Sequence, residues 1–489
     1  MEKTSSYYDS EQSLTRDLAY LGVVTAAEAI RKGELTAESY ASFLLERAKD
    51  QADLCSFITI NEEAVHRDAR QADKALQAGS KARLPGVPLG FKDNYLTKGL
   101  ATSLGLEKLA KFVPEKDADV VRVIKDAGAV VFGKTNLVEM SYGLTGDNSH
   151  FGQVKNPRAH DRVTGGSSSG SAASVAAGIV PAAFGGDSVG SVRVPASLCG
   201  IVGFKPTTGR WPRNGAAPVS HTLDTPGVLA RSVEDCDFLD QILTGDKIEQ
   251  QFEAGSGLKG VRLAFAPRHS LNLVDPEVEA RFREVLKRLQ DAGAAIVEVD
   301  LGDDFFSLTQ EVAWSLFFHE TIGSVSEFLA SEKIPITFDG IFSGLKPELH
   351  NAWSYMVLPE GGGAISKDAY HAILTVKRPE LQRRLDEVLT EHGVQALVQP
   401  TTPCTAPLIA QRTNFSIAGR PVEDRALANH TIAASATGFP GISLPVGLSK
   451  ESLPIGFELD GKEGSDRGLL TLARRIEGVL GYTTQRRNS

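Results

Sequence analysis

A segment crowded with glycine and serine constrains the fold of this chain more than any other part of the sequence. Residues 165–203 hold nine Gly and eight Ser in 39 positions, and the only charged residues among them are Asp187 and Arg193. Glycine permits positive φ and close approach of backbone, and consecutive free amides can form an anion-binding concavity. We therefore expect this segment to bring stretches of backbone together, with the two charged residues forming a salt bridge that braces the loop.

A flexible linker and a phosphate-binding loop are two other uses of such a segment. A linker would not continue into the apolar, helix-forming run at 172–180. A phosphate loop would carry G-K-[ST], or G-x-G-x-x-G after a strand, and the segment has neither. The sequence disfavours both interpretations.

A nucleophile elbow is a further alternative, because residues 186–190 match G-x-S-x-G with Ser188 at the centre. The elbow needs a strand before this serine and a helix directly after it. Residues 179–184 could form the strand, but residues 191–195 look extended and end on a proline. We interpret the match as fortuitous. His221 and His269 lie downstream, however, so the sequence alone leaves this alternative open.

Lys92 offers a different way to activate a serine. Serine is a weak nucleophile that needs a positioned base, and lysine can be that base only where burial favours the neutral amine. Lys92 follows a short apolar strand predicted over 87–91 and precedes Asp93 and Asn94, so it emerges from a core element. A lone lysine is otherwise usually a solvated surface residue.

Helical and extended patterns alternate along the chain. Thr36 and Asn61 are expected to cap N-terminal helices, Gly79 to end the second of these, and Asp117 to cap a helix over 118–127. Further strands are predicted at 129–132, 261–266, 295–301 and 394–398, and further helices at 276–292 and 468–480. This alternation predicts an α/β fold whose sheet is covered by helices on both faces.

We expect one domain over residues 1–489. Within it, the predicted parts are N-terminal helices over 1–80, a catalytic core over 81–245 and a mostly helical excursion over about 303–390. We find neither an internal repeat nor a low-complexity linker between these parts.

Charge, cysteine spacing and hydropathy exclude several classes of protein. The 52 Lys and Arg against 61 Asp and Glu give a net charge of −9 without a basic stripe, which argues against nucleic-acid binding. The four cysteines are far apart, so neither a zinc site nor a disulfide framework is indicated. No apolar run is long enough to span a membrane, and the polar residues 1–17 lack a signal-peptide core. We expect a cytoplasmic protein.

Several segments, in order along nearly the whole chain, resemble the amidase signature family. They are GVPLGFKDN at 86–94, GKTN at 133–136, FGQVKNP at 151–157, GGSSSGSAA at 165–173, GDSVGSVRVPA at 186–196, GFKPTTGR at 203–210, PTTP at 400–403 and GFPGISLP at 438–445. The resemblance implies a large mixed β-sheet core covered by helices. It also implies an enzyme that hydrolyses linear amides without a metal or cofactor.

The resemblance also implies a role for individual residues. Ser191 would be the nucleophile, Ser167 a bridging serine after a cis peptide bond, and Lys92 the neutral base. An oxyanion hole would be formed by the backbone amides of Ser188, Val189, Gly190 and Ser191. Position 189 is Val where the family usually has Gly or Ala. A β-branched residue resists positive φ, so the loop either avoids that conformation at 189 or differs locally.

The substrate is implied by three further segments, GELTAESY at 33–40, GRWP at 209–212 and PVSHTLDTPG at 218–227. They are similar to indoleacetamide and mandelamide hydrolases, which implies a small amide with an aromatic or apolar acyl group. Candidate substrate contacts are Met140, Ser141, Gly143, Trp314 and Phe318, although aromatics at helical spacing more often fill core. Alternatives are the amidase-like subunit of a tRNA-dependent amidotransferase, or a carbamate or aryl-acylamide hydrolase. A homodimer is possible, as in similar proteins.

Overall fold

The computed structural model describes residues 18–246 and 257–481, so the polar stretch 1–17 lies outside the described residues. The strands are β1 Phe57–Thr59, β2 Pro88–Lys92, β3 Val130–Thr135, β4 Lys155–Asn156, β5 Ala159–Val163, β6 Ala182–Asp187, β7 Val202–Lys205, β8 Thr225–Ala230, β9 Arg262–Phe265, β10 Ala295–Glu298, β11 Ala396–Pro400, β12 Asn414–Ile417, β13 Arg420–Glu423, β14 Gly441–Leu448 and β15 Pro454–Asp460. The helices are α1 Val23–Lys32, α2 Ala37–Asp50, α3 Glu62–Gln77, α4 Asp119–Asp126, α5 Ser169–Ala176, α6 Arg193–Cys199, α7 Val233–Thr244, α8 Pro267–Ser270, α9 Pro276–Asp291, α10 Phe305–Ser331, α11 Phe338–Phe342, α12 Pro347–Met356, α13 Lys367–Ala372, α14 Arg378–Glu391, α15 Ile432–Thr437 and α16 Asp466–Leu480.

One mixed sheet organises the molecule. Within the described ranges it has 11 strands, in the order β1-β3-β2-β6-β8-β7-β14-β15-β11-β9-β10. Strand β2 is parallel to β3 and β6, strand β9 is parallel to β10 and β11, and the other pairs are antiparallel. Every residue of β2, β8 and β15 is buried, and successive side chains point to opposite faces, so both faces are covered. The predicted α/β fold with a large mixed sheet is confirmed.

The neighbouring strands β2 and β6 bring two candidate residues to the same edge of the sheet. They run parallel, with Phe91 opposite Phe184, so their carboxyl ends lie side by side. Strand β2 ends at Lys92 and β6 ends at Asp187. Ligand sites of open α/β sheets form at this kind of edge.

Two of the predicted helix caps are confirmed. The Thr36 and Asn61 side chains each accept a hydrogen bond from the amide three residues on, at 3.1 Å, at the starts of α2 and α3. Each such cap typically contributes about 1 kcal/mol of stability. Gly79, with φ +91°, follows the end of α3 as expected.

The predicted cap at Asp117 is wrong. Helix α4 begins at Asp119, and the Asp117 carboxylate instead accepts from the Lys98 amide at 2.8 Å and pairs with Lys125 at 2.6 Å. The strands predicted over 87–91, 295–301 and 394–398 do form, but their ends differ from the predicted ends by up to three residues. Strand ends depend on cross-strand pairing, which a single sequence does not contain.

Two large apolar clusters fill the interior. The first surrounds the sheet and includes Phe91, Phe184 and Trp211. The second lies beneath the helices of the predicted excursion and includes Phe317 and Trp353. The loop after β6 contributes Val189 to the second cluster, so the candidate site touches both.

Three features of the described residues bear on membrane, metal and disulfide sites. Among the described residues, no helix is long and apolar enough to cross a membrane. The same part of the chain has no group of three or more His, Cys, Asp or Glu side chains placed to hold a metal ion. All four cysteines are free thiols.

Candidate active site

Lys92 and Ser167 meet in the interior at the carboxyl end of β2. The Lys92 side chain is fully buried, and its Nζ donates a hydrogen bond to Ser167 Oγ at 2.7 Å. Burial lowers the pKa of Lys92 to about 7, and the nearby Asp224 and Asp187 oppose that shift because they favour the ammonium form. Near neutral pH, a large fraction of Lys92 is therefore the neutral amine, the form that can accept a proton.

Backbone contacts join the segment that carries Ser167 to the one that carries Ser191. The peptide bond before Ser167 is cis, and the Ser168 amide donates to Ser191 O at 3.2 Å. Gly165 has φ +79°, and a Cβ at that position would lie 2.8 Å from Pro195 Cα. Glycine therefore lets the two serine segments pack directly against each other.

The Asp187–Arg193 pair braces the loop between β6 and α6, as predicted from the charges. The Asp187 carboxylate accepts from Arg193 Nε and Nη2, each at 3.0 Å, and from the Gly190 amide at 2.7 Å. Both charged side chains are fully buried, and Arg193 also contacts Glu458. Burial would raise the pKa of Asp187, but Arg193 reverses that effect and holds the pKa below its usual value.

Arg193→Ala is expected to lower the free energy of unfolding by about 3–5 kcal/mol, because it leaves Asp187 and Glu458 buried without the guanidinium that contacts both of them. Urea unfolding measures this loss. Arg122→Ala is the matched control, because the Arg122 side chain is half exposed and pairs with Asp119 and Asp126 at the surface, so its loss should change the free energy by less than about 1 kcal/mol. Equal effects of the two substitutions would contradict a bracing role for Arg193.

Three of the four backbone amides at 188–191, which the resemblance assigns to an oxyanion hole, are free of hydrogen bonds among the described residues. The Gly190 amide already donates to Asp187, which removes it from the predicted set. The amides of Ser188, Val189 and Ser191 make no hydrogen bond to any residue in the described ranges. Free, preorganised donors are what an oxyanion site requires.

Val189 avoids the left-handed backbone that a β-branched side chain resists. The positive φ of the loop falls on Gly190 instead, at +134°. A Cβ at Gly190 would lie 2.2 Å from Thr431 Oγ1, so the side chain of Thr431 also requires glycine there. Thr431 Oγ1 donates to Val189 O at 2.8 Å. Valine in place of the usual Gly or Ala at position 189 therefore fits, because the backbone there has a negative φ.

The segment after the loop differs from its prediction. The sequence predicts an extended stretch over 191–195, but α6 begins at Arg193, so that prediction is wrong. Pro195 is the third residue of α6, within the first turn, where an amide has no intrahelical acceptor in any case. The strand and helix of the elbow alternative are thus present, separated by five residues.

The hydroxyl of Ser188 nevertheless lacks the base that an elbow nucleophile needs. Ser188 Oγ donates to the Asp224 carboxylate. His221 is exposed and pairs with Glu327 at 3.2 Å, and the ring nitrogens of buried His269 have no hydrogen-bond partner among the described residues. A serine nucleophile of this type requires an imidazole in contact. The elbow alternative therefore loses its support.

A cavity of about 250 Å³ opens beside Lys92 and Ser188. One wall is the loop that follows β7, and the other is the C-terminal part of α10, at Ser324, Glu327, Phe328 and Ser331. The lining combines apolar and charged side chains, which include Tyr95, Val219, Phe328, Arg213, Asp224 and Glu332. A cavity of this size and lining suits a small molecule with both apolar and polar parts.

Of the five predicted substrate contacts, Ser141 lines this cavity. Met140, Gly143, Trp314 and Phe318 do not. The two aromatic rings stack on each other, with 5.7 Å between their centroids, and pack against the second apolar cluster. The residues of α10 that do line the cavity lie further along the helix, at 324–331. Nothing in the sequence beyond their helical spacing marks these residues as cavity-lining.

The chain is similar to known proteins over most of its length. A family model described as Amidase matches residues 40–470. A mandelamide hydrolase from Pseudomonas putida is 35% identical over 475 residues, covering 94% of this chain and 92% of the relative. A glutamyl-tRNA(Gln) amidotransferase subunit from Acinetobacter baumannii is 33% identical over 504 residues, covering 96% and 98%. A crystal structure of an amidase superimposes with a TM-score of 0.82 at 30% identity, covering 94% of this chain and 99% of that one.

Proposed function

The chain belongs to the amidase family and is an amide-hydrolysing enzyme, and we propose that it cleaves a small carboxylic amide through an acyl-enzyme on Ser191. The observation that carries this proposal is the buried contact between Lys92 Nζ and Ser167 Oγ at 2.7 Å. A buried lysine that contacts one serine, on a segment hydrogen-bonded through its backbone to the segment of another serine, supports a proton relay to that second serine.

In the proposed reaction, Ser191 Oγ attacks the amide carbonyl carbon while its proton passes to Ser167 Oγ, whose own proton passes to Lys92 Nζ. The tetrahedral oxyanion accepts hydrogen bonds from the amides of Ser188, Val189 and Ser191. One such donor is worth about 2.7–4 kcal/mol in the transition state. Lys92 then returns the proton through Ser167 to the leaving nitrogen, and the C–N bond breaks. Water repeats the sequence on the ester, releasing the acid.

The acyl group is proposed to be aromatic or apolar. Support comes from the apolar part of the cavity lining, at Tyr95, Val219 and Phe328, and from the 35% identity to a mandelamide hydrolase. The test is ammonia or amine release from a panel of aryl and alkyl amides, aryl acylamides, esters and carbamates, with the acid product identified by mass. Hydrolysis of none of the amides would refute the proposal, and preference for a carbamate would change its substrate class.

A component of an amidotransferase complex is the second candidate, favoured by the 33% identity to such a component over nearly the whole chain. The two candidates differ in what the purified chain does alone. A small-amide hydrolase turns over the panel without a partner. A component of a complex would be a poor hydrolase until its partners are added, and it would co-purify with them from its source.

The value of kcat/KM for amide hydrolysis should rise as the pH increases through about 7. Burial lowers the pKa of Lys92 to about 7, and only the neutral amine can accept the proton of Ser167. Below that pH the ammonium form predominates, and kcat/KM should fall about tenfold per pH unit. Asp224 favours the ammonium form, so Asp224→Asn should lower the pKa of Lys92 and move the acidic limb to lower pH. Profiles of kcat/KM against pH measure both effects, and a limb that moves upward in the variant would contradict this electrostatic coupling.

A further inference from the structure

Glu320 is a buried carboxylate in the middle of α10, and all its partners lie on other segments. Its Oε2 accepts from Ser220 Oγ and from the Thr222 amide at 3.0 Å. Its Oε1 accepts from Thr222 Oγ1 at 2.6 Å and from Tyr370 Oη at 2.7 Å. A carboxylate has about four acceptor sites, so these four hydrogen bonds use its full capacity.

Glu320 has no ion-pair partner among the residues that the structure describes. A buried charge without a countercharge costs free energy, and hydrogen bonds offset that cost only where the donors are held in place. Three of the four donors belong to the loop 218–224, which lines the cavity beside Lys92. The carboxylate therefore fixes this loop to α10. Its hydrogen bond from Tyr370 also joins α10 to α13.

Ser220 connects the hydrogen bonds around Glu320, which we call the Glu320 clamp, to the loop 188–191 that carries Ser191, the catalytic loop. Its hydroxyl donates to Glu320, and its amide donates to Asp224 at 3.0 Å. Asp224 also accepts from the Val219 amide at 2.5 Å and from Ser188 Oγ. One continuous chain of hydrogen bonds thus runs from α10 to Ser188, three residues before Ser191.

We propose that Glu320 is a positioning residue for amide hydrolysis, acting through Ser220 and Asp224 to hold Ser188 and its neighbouring amides against the oxyanion. Helix α10, which carries Glu320 and covers the cavity, would then also influence the rate of the chemical step through the position of these amides. This inference rests on the proposed function, because the oxyanion amides belong to that mechanism.

Glu320→Gln is the first test. The amide keeps the side-chain volume but replaces one acceptor oxygen by a donor, so the donors on that side lose their partner. We expect kcat to fall by about 100-fold, the size of effect that a displacement of about 1 Å at a catalytic group produces. KM should stay near the wild-type value because Glu320 does not line the cavity. Glu311→Gln, on the same helix and in a half-exposed ion pair with Lys377, is the matched control and should keep wild-type kinetics.

The connecting residue supplies the second test. Ser220→Ala removes the hydroxyl that joins the 218–224 loop to Glu320 and leaves the hydrogen bond from the backbone amide of residue 220 to Asp224 in place, so kcat should fall in the same direction. Because both substitutions break one chain, the double variant should lose less than the product of the single losses. Independent, multiplicative losses would overturn the proposal, as would a wild-type kcat in Glu320→Gln or a loss confined to KM.

Hydrogen exchange separates this proposal from the proposed function, since it needs no substrate. The amides of Val219, Ser220 and Thr222 should exchange faster in Glu320→Gln than in the wild type, while the sheet amides remain unchanged. If the wild type hydrolyses none of the panel, the proposed function fails, yet faster exchange would still support the clamp and unchanged exchange would overturn it. Should Glu320→Gln fail to fold, Tyr370→Phe removes one of the four hydrogen bonds and carries the same two readouts, and wild-type values in both would overturn the proposal.

Discussion

Ser191→Ala should reduce kcat for amide hydrolysis by about 10⁶-fold, the size of effect expected when a serine nucleophile is removed from an intact site. The alanine variant keeps the amides of the loop and the contact between Lys92 and Ser167. It should therefore fold normally and bind substrate with little change in affinity. Steady-state kinetics with a chromogenic anilide would measure the loss of turnover, and labelling by a serine-directed sulfonyl fluoride would measure the loss of the nucleophilic hydroxyl.

Two other serines make this result specific. Ser169→Ala removes a buried hydroxyl of the same glycine- and serine-rich segment that has no hydrogen-bond partner among the described residues, so it should retain wild-type kcat. Ser188→Ala breaks the contact with Asp224 and should weaken catalysis without abolishing acylation. If Ser188→Ala were inactive and Ser191→Ala active, the nucleophile would be Ser188 and the elbow alternative would be correct.

Lys92→Met is expected to lower kcat by up to about 10⁴-fold, the upper range for loss of a general base. Methionine is unbranched and apolar, so it fills the buried space that Lys92 leaves without adding a charge. Ser167 would then lose its proton acceptor, and the rate of Ser191 labelling by a sulfonyl fluoride should fall in parallel with turnover. Near-UV circular dichroism checks that the fold is kept.

The residual activity of Lys92→Met carries the decisive information. The pH dependence near 7 should disappear from kcat/KM, because the group that titrates there is gone. A variant that kept both the wild-type rate and the wild-type acidic limb would remove Lys92 from the mechanism and assign the limb to another group.

Much of the fold could be predicted because local rules and burial agree along most of the chain. Caps at Thr36 and Asn61 and the apolar strand before Lys92 are local signals, and the structure contains each of them. Asp117 has a better partner in Lys125, eight residues along the chain, so tertiary contacts overrode its local preference. Pro195 suggests the end of an extended run, although proline fits equally well in the first turn of a helix.

The candidate site shows a similar division. The residues proposed to carry the chemistry lie in motifs, and the charged pair Asp187–Arg193 could be inferred because no other charges share its segment. The cavity walls could not be inferred. The C-terminal part of α10 and the loop 218–224 lie about 100 residues apart in sequence, and Ser220 and Glu320 meet only through the tertiary structure. Such contacts leave no periodicity in a single sequence.

The placement of Val189 in the apolar cluster beneath the helical layer has a consequence for how the protein loses activity. Proteins open in cooperative units of unequal stability. Opening of the helices that cover the second cluster would remove the apolar packing of Val189, two residues before Ser191. We therefore expect the thermal lifetime of the loop that carries Ser191 to depend on the outer helices as well as on the core around the sheet.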